Sequence, residues 1–170
     1  MDAFMAVVSK REVRAYAPEP LPEDAVRRIL EAGRLAGSSG NRQRRRFVVL
    51  RDRALLEAAA EAVWTPPNLL GAALVVAVVI GGKGPLGFDA GRAAQNMMLA
   101  AWNDGIGSCP NGVADAERMR EALGLGSDEQ VATVLSFGYP ARLADPERRT
   151  PDEWIARADR LAFEDVVDER

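Results

Sequence analysis

The sequence contains no histidine and a single cysteine, Cys109. Histidine is the commonest general base near neutral pH and a frequent zinc ligand, so its absence excludes Ser-His-Asp and Cys-His nucleophile systems, and no metal site is expected. One cysteine cannot form an internal disulfide, and we interpret Cys109 as a packing residue. An enzyme of this composition must use carboxylates or a cofactor for its chemistry, and a purely binding role is the other possibility.

Long apolar runs and a strong charge imbalance are also missing. No stretch of the 170 residues approaches the roughly 18 uninterrupted apolar residues of a membrane-spanning helix. The net charge of −3 gives no reason to expect nucleic acid or a membrane as a partner. The N-terminus lacks the layout of a signal peptide. We therefore expect a soluble, cytoplasmic protein, and its 48% hydrophobic content suits one domain over residues 1–170.

The hydrophobic pattern predicts helices that alternate with strands. Helices are predicted over residues 2–9, 22–37, 54–63, 89–103, 116–123 and 153–162, and strands over 46–50, 72–80 and 131–137. The apolar run at 72–80 is typical of a strand buried on both faces, and residues 105–112 are predicted to form a loop with exposed backbone N–H groups. The pattern favours an α/β or α+β sandwich. The polar tail, about residues 140–170, is expected to wrap a partner subunit.

Four segments are candidate binding elements. Residues 10–14 gather cations near a helix end, which suits a phosphate. Residues 38–43 offer the donors and acceptors that a heteroaromatic edge or a sugar chain requires. Residues 105–112 could donate backbone N–H groups, and Arg148-Arg149 could close on the same phosphate. Each segment taken alone also fits a structural role, as a helix end, a turn, a helix cap or a surface charge pair.

In their order and spacing these segments resemble the nitroreductase family of flavin enzymes, from about residue 6 to residue 155. The family's motifs stand here as Lys10-Arg11-Glu12-Val13-Arg14, Ser38-Ser39-Gly40-Asn41-Arg42-Gln43, Asp89-Ala90-Gly91-Arg92-Ala93-Ala94-Gln95-Asn96, Gly105-Ile106-Gly107-Ser108-Cys109 and Gly138-Tyr139-Pro140. Five motifs in register make a chance match of an unrelated structural domain improbable.

The resemblance implies a nitroreductase-like α+β fold. This is a three-layer sandwich with a central mixed β-sheet, helices on its faces and a C-terminal tail exchanged in a homodimer. It implies FMN at the subunit interface, NADH or NADPH as electron donor, and a nitroaromatic, quinone or similar small molecule as acceptor. No catalytic side chain is expected, because the flavin would carry the chemistry.

The resemblance also assigns the cations. Lys10, Arg11 and Arg149 would hold the flavin phosphate, and Arg14 would lie at the N1/O2 edge of the ring. Glu12 stands where the family usually has serine, which puts a carboxylate beside a dianionic phosphate. It could pair with Arg14 or turn away from the ligand.

The remaining expected cofactor-binding residues are polar or backbone donors. Ser38, Ser39 and Asn41, in a motif that ends at Gln43, would reach the flavin of the other subunit. Backbone N–H groups around Asn111-Gly112 would face the flavin N5.

Arg44-Arg45 replaces the Pro-Trp that usually follows the glutamine. A solvated loop explains this pair, and a sharper hypothesis is that it steers an anionic partner such as the phosphate of NADPH. The chain is short for the family, so we expect an open pocket. The segment Trp64–Asn68 either lines that pocket or is a surface loop with a buried Trp64.

Two alternatives remain at this stage. One is flavin-dependent chemistry with oxygen or halogenated aromatics, as some relatives perform. The other is a non-catalytic flavin-binding protein, which the replacement by Glu12 and the Arg44-Arg45 pair keep open.

Overall fold

The computed structural model describes residues 1–142 and 145–170, so residues 143–144 of the predicted tail lie outside the described residues. The chain divides into two compact units. One consists of Met1–Lys10 together with Asp145–Arg170, and the other of the described residues of 11–144.

The larger unit is built on one four-stranded sheet. Its strands are β1 (Arg45–Val49), β2 (Leu74–Gly81), β3 (Gly107–Asn111) and β4 (Glu129–Gly138), in the order β1-β2-β4-β3. All three pairings between these strands are antiparallel. Among the described residues, parallel pairing is limited to the single bridge between Glu12 and Ser108. A mixed sheet, with parallel and antiparallel pairing, was expected, and this bridge is its parallel part among the described residues.

Helices cover both faces of the sheet. Those of the larger unit are α2 (Glu23–Arg34), α3 (Arg53–Ala60), α4 (Pro67–Leu70), α5 (Leu86–Asn103) and α6 (Ala116–Ala122). Alternate residues of β2 enter two separate cores: Val76 and Val78 pack against α2 and α5, and Val75 and Ala77 pack with α3, α4 and α6. The predicted double-faced burial of this strand and the expected three-layer fold are both confirmed.

The close packing of α2 on α5 depends on Gly33. A Cβ atom at this position would lie 2.7 Å from the sulfur of Met97. Since real Cβ atoms do not approach so closely, the glycine sets the distance between the two helices. The long helix α5 begins three residues earlier than residue 89, the predicted start.

The prediction of a loop over residues 105–112 is wrong. Residues Gly107–Asn111 form the edge strand β3, in which all but Pro110 are buried. The sequence Gly-Ser-Cys-Pro-Asn has no β-branched or aromatic residue, so local propensity does not predict a strand. Its pairing with β4 imposes the extended conformation.

The smaller unit contains α1 (Ala3–Ser9), α7 (Pro151–Ala156) and α8 (Phe163–Val166). The helix predicted over residues 153–162 is instead α7, which begins with a capping box formed by Thr150 and Glu153 and ends by Arg157. The apolar residues after it, including Leu161 and Phe163, are exposed. No helix in the described part of the chain has the length and apolar character to cross a bilayer; a cytoplasmic location stays a prediction.

The ion pair between Arg46 on β1 and Glu129 on β4 generates a pH prediction. The Arg46 guanidinium, which donates two hydrogen bonds of 2.8 and 2.9 Å, lowers the pKa of Glu129 from 4.5 to about 2. A carboxyl group with a lowered folded-state pKa stabilises the fold above its unfolded pKa. That contribution is lost as the pH falls from 4.5 to about 2.

Glu129→Gln should therefore lower the urea midpoint most at neutral pH, and the deficit relative to the unsubstituted protein should shrink as the pH falls through this range. Urea unfolding at a series of pH values checks this. A deficit that does not change with pH would contradict the assignment.

Candidate functional site

An extended segment, residues 12–17, lies along the edge of the sheet. Glu12 forms the bridge to Ser108 on β3, and the backbone N–H of Val13 donates to the Ser108 carbonyl at 3.0 Å. At its other end the N–H of Ala17 donates to the carbonyl of Tyr139 at 2.8 Å. The backbone of residues 12–17 is thus fixed to the sheet.

Two glycines make this docking possible. A Cβ atom at Gly107 would lie 2.7 Å from Val13, and one at Gly138 would lie 2.9 Å from the ring of Tyr16. The side chains of the segment occupy the space that side chains on β3 and β4 would need. As a result Glu12 and Arg14 are exposed and Arg11 is half-buried.

Tyr16 anchors the segment through its hydroxyl group. The hydroxyl donates to the Val13 carbonyl at 2.6 Å and lies 3.0 Å from the hydroxyl oxygen of Ser136. Burial raises the pKa of Tyr16 to about 12. The phenol therefore stays protonated under physiological conditions and serves as an anchor rather than as an acid.

Asn111, the last residue of β3, is the centre of a buried polar cluster. Its Nδ2 donates to the carbonyls of Cys109 (3.0 Å) and Val134 (3.1 Å) and to the Oγ of Ser136 (3.2 Å). Its Oδ1 accepts from Asn68 Nδ2 at 3.0 Å. The side chain of Asn111 is committed to the interior, and the role of backbone N–H groups around Asn111-Gly112 at the flavin N5 stays a prediction.

Ser136 on β4 connects the two features. Its Oγ lies within hydrogen-bonding distance of both Tyr16, at 3.0 Å, and Asn111, at 3.2 Å. The Cys109 carbonyl, 3.2 Å from the same Oγ, is an alternative acceptor for the single hydroxyl proton of Ser136. One buried network therefore orients both the cationic segment and the turn at Gly112. Sequence reasoning missed Ser136, because a serine in an apolar strand carries no distinctive signal. It named Asn68 only within the segment Trp64–Asn68, and not as the buried partner of Asn111.

Trp64 lies beside this turn. Its backbone N–H donates to the Gly112 carbonyl at 3.2 Å, and its Cδ1 would lie 3.1 Å from a Cβ atom at Gly112. The side chain is 75% exposed. The alternative of a buried Trp64 is therefore wrong, and the indole packs closely against the backbone at Gly112.

The Ser38–Gln43 loop is a tight turn held by its neighbours. The N–H of Gln43 donates to the Oγ of Ser38 at 2.9 Å, and the N–H of Ser39 donates to the carboxylate of Asp89 at 3.1 Å. Asn41 and Gln43 both have a φ of +53°, a left-handed conformation that side chains seldom adopt. The side chains of Ser39, Asn41 and Gln43 point outward and are exposed. Strained backbone of this kind is often found where a loop presents groups to a ligand.

The arginines that follow the loop have structural contacts. Arg45 donates to the carbonyls that end α2, Arg46 pairs with Glu129, and Arg44 donates to the carbonyl of Lys83. Capping the helix gives Arg45 a sufficient reason for its position. The steering of an anionic partner by Arg44-Arg45 stays a prediction.

The sheet separates the predicted site residues into two groups. The Ser38–Gln43 loop leads into β1, whereas the cationic segment pairs with β3 and Gly112 directly follows β3. These strands are the two edges of the sheet, three strand spacings or about 14 Å apart. The two groups of predicted site residues therefore lie at opposite edges of the sheet.

The smaller unit holds the remaining two predicted site residues. Lys10 follows the last residue of α1, and its N–H closes that helix on the Ala6 carbonyl at 3.1 Å. The guanidinium of Arg149 lies 4.9 Å from the centre of the Trp154 ring. Burial, and then the positive charges of Arg148 and Arg157, lower the pKa of Arg149. Clustered cations of this kind favour an anionic ligand.

A family model described as "Nitroreductase family" matches residues 7–79 and 87–139. The chain belongs to the nitroreductase family. The match covers the cationic segment, the Ser38–Gln43 loop and the whole of β3 and β4, and it confirms the resemblance seen in the motifs.

Individual relatives agree with this assignment. A protein of Archaeoglobus fulgidus assigned as an NADH dehydrogenase/NAD(P)H nitroreductase is 35% identical over 149 residues, which cover 82% of this chain and 86% of the relative. An NADH dehydrogenase of Thermus thermophilus is 29% identical, with 91% and 95% covered. The crystal structure of a protein from Desulfovibrio desulfuricans, assigned as a nitroreductase and in complex with FMN, aligns with a TM-score of 0.85 at 26% identity. That alignment covers 100% of this chain and 98% of the other.

The nitroreductase helix motif that begins at Asp89 supports the loop. Asp89 accepts the Ser39 N–H, and the guanidinium of Arg92 fills the space beside Gly37, where it also lies 5.7 Å from the centre of the Phe88 ring. The motif was recognised from the sequence, but its role in holding the loop required the structure.

The docking of Val13 on Gly107 generates a stability prediction. Gly107→Ala should lower the free energy of unfolding by about 1–3 kcal/mol, because the new methyl group must displace Val13. Gly87→Ala on α5 is the matched control, since nothing lies within 4 Å of its added Cβ. The control should be neutral or stabilising by about 0.5–1 kcal/mol. Urea unfolding of both variants checks this, and equal effects would contradict the account.

Proposed function

We propose that this chain is an FMN-dependent oxidoreductase that takes hydride from NADH or NADPH and passes electrons to a nitroaromatic, quinone or similar small acceptor. One observation carries the proposal. The cationic segment and the Gly112 turn are attached to the same strand, at Ser108 and Asn111, three residues or about 10 Å apart along β3. Phosphate-binding cations and backbone donors for a ring are thus presented along one edge.

The residues present fit FMN. Arg11 and Arg14 offer guanidinium forks to an anionic ligand, Gly112 is an exposed glycine at which backbone can approach a ring closely, and the buried network below fixes both. FMN, when bound, supplies the two-electron chemistry that a chain without histidine does not supply from its own side chains. The roles proposed for Lys10 and Arg149 at the phosphate stay predictions.

Arg14 has a specific task in this proposal. Its side chain is exposed and carries a planar guanidinium cation, so it can lie against the ring edge on which negative charge develops during reduction. A fixed cation there stabilises the reduced form relative to the oxidised form. The exposed carboxylate of Glu12 is on the same segment and would weaken that effect if it faced the ligand.

The second part of the proposal is a homodimer. Ser38, Ser39, Asn41 and Gln43 precede one edge strand, and the cationic segment lies on the other. If one flavin contacts both groups, the two groups come from different copies of the chain. The exposed apolar side chains of the C-terminal residues, Leu161, Phe163 and Val166, favour a tail that the partner subunit covers.

The exposed Glu12 favours one competing function, a protein that binds flavin without turning it over. Flavin-dependent chemistry with oxygen or halogenated aromatics is the other alternative. Reduction by a nicotinamide separates the first of these from the proposal.

The visible absorption spectrum of the purified protein tests the proposal. We expect bands of oxidised flavin that bleach on anaerobic addition of NADPH or NADH and return when a quinone is added. Flavin bands that do not bleach would contradict the oxidoreductase and favour the binding protein. No flavin bands and no uptake of added FMN would contradict both.

Mixed dimers test the shared site. Chains with Arg11→Gln and Arg14→Gln, and chains with Ser39→Ala and Asn41→Ala, should each bind FMN poorly as homodimers. A hybrid dimer of the two carries one undamaged site, so it should bind about one FMN per dimer with near-normal affinity. Two differently tagged chains allow the hybrid to be purified. A hybrid that binds no better than its parents would contradict the shared site.

A further inference from the structure

We propose that Trp64 forms an aromatic platform that selects planar, electron-poor rings as substrates of the flavin site. The inference rests on the proposed function, because it is that function which places the reacting ring next to Gly112. It names Trp64 as the residue that sets the substrate class. Neither the family assignment nor the relatives identify that residue.

Backbone pairing fixes the position of Trp64. Its own N–H is bonded to the Gly112 carbonyl at 3.2 Å, and the adjacent residues Val63 and Val113 form an antiparallel bridge. One residue further on, the N–H of Ala114 donates to the Ala62 carbonyl at 2.8 Å. The indole is therefore presented by a short two-stranded ribbon, one strand of which continues directly from β3.

The buried cluster below makes this ribbon rigid. Asn68 follows Trp64 by four residues, and its side chain is bonded to Asn111, the neighbour of Gly112. The residues that adjoin the two strands of the ribbon are thus joined to each other by an interior hydrogen bond. A preorganised ring loses little conformational freedom when a second ring stacks on it.

The exposure of the indole is unusual among the three tryptophans of this chain. Trp102 is 3% exposed, and Trp154 is partly buried with its indole N–H bonded to the Pro146 carbonyl at 2.7 Å. Trp64 is 75% exposed although it is one of the largest apolar side chains. A flat aromatic surface left open beside a candidate redox site is suited to a planar ligand.

Ring electronics give the direction of selectivity. Indole is electron-rich, whereas nitroaromatic, quinone and nicotinamide rings are planar and electron-poor, so offset stacking between them is favourable. An acceptor that is not planar gains nothing from the platform. Trp64 should therefore distinguish acceptors by shape rather than by reduction potential alone.

Two acceptors with different shapes test whether Trp64 selects planar rings. A naphthoquinone takes up two electrons and two protons to give the hydroquinone, whereas octahedral ferricyanide takes up one electron, so two ferricyanide ions replace one quinone. Protein whose flavin has been reduced with one equivalent of dithionite is mixed anaerobically with each acceptor. The return of flavin absorbance gives a rate constant for each, with no nicotinamide step involved.

Trp64→Ala should lower the ratio of the quinone rate constant to the ferricyanide rate constant about tenfold, and Trp64→Phe should retain most of the ratio. A binding measurement accompanies the kinetics. Calorimetric titration of the oxidised holoprotein with nicotinamide, a planar ring that is not reduced, should show about a tenfold weaker Kd for Trp64→Ala and a smaller change for Trp64→Phe.

An unchanged ratio and an unchanged nicotinamide Kd in Trp64→Ala would overturn the inference while leaving the proposed function intact. An equal fall with both acceptors would also overturn it, because it would indicate a structural role. If the unsubstituted protein binds FMN but reduces neither acceptor, or binds no FMN, the proposed function itself fails and the inference falls with it.

Discussion

The candidate site depends on the close approach of an extended chain segment to the backbone of the sheet at Gly107 and Gly138. Val13 and Tyr16 take the space that side chains on β3 and β4 would fill. Because these two residues face inward, their neighbours Glu12 and Arg14 are exposed, and Arg11 is half-buried. A methyl group at either glycine would displace Val13 or Tyr16, so the packing of these two side chains positions Glu12 and Arg14.

A buried hydrogen-bond network links the docked segment to the end of β3. Ser136 is bonded to Tyr16 of the docked segment and to Asn111 at the end of β3, and Asn111 is bonded to Asn68 below Trp64. Buried polar groups with all partners satisfied specify one arrangement, since breaking any bond leaves an unpaired group in a low-dielectric interior. These hydrogen bonds therefore link the docked segment, whose position is set by the packing of Val13 and Tyr16, to the end of β3 and to the residues next to Trp64.

The sequence was informative where local chemistry is strong. The apolar run of β2 predicted a doubly buried strand, and the order of the motifs predicted the family and the fold. It failed at β3, where Gly107–Asn111 has no strand propensity and forms only by pairing with β4. It also could not show that Arg45 caps α2 or that Trp64 is exposed, because both depend on residues distant in sequence: the carbonyls near Gly33 and the backbone of Gly112.

The most direct test of the central claim is a crystal structure of the protein with FMN bound. The account predicts the phosphate at Arg11, Arg14 at the N1/O2 edge, the Gly112 turn at N5, and Ser39 and Asn41 of a second copy against the same flavin. A flavin that contacts one copy only, or that lies away from β3, would contradict it.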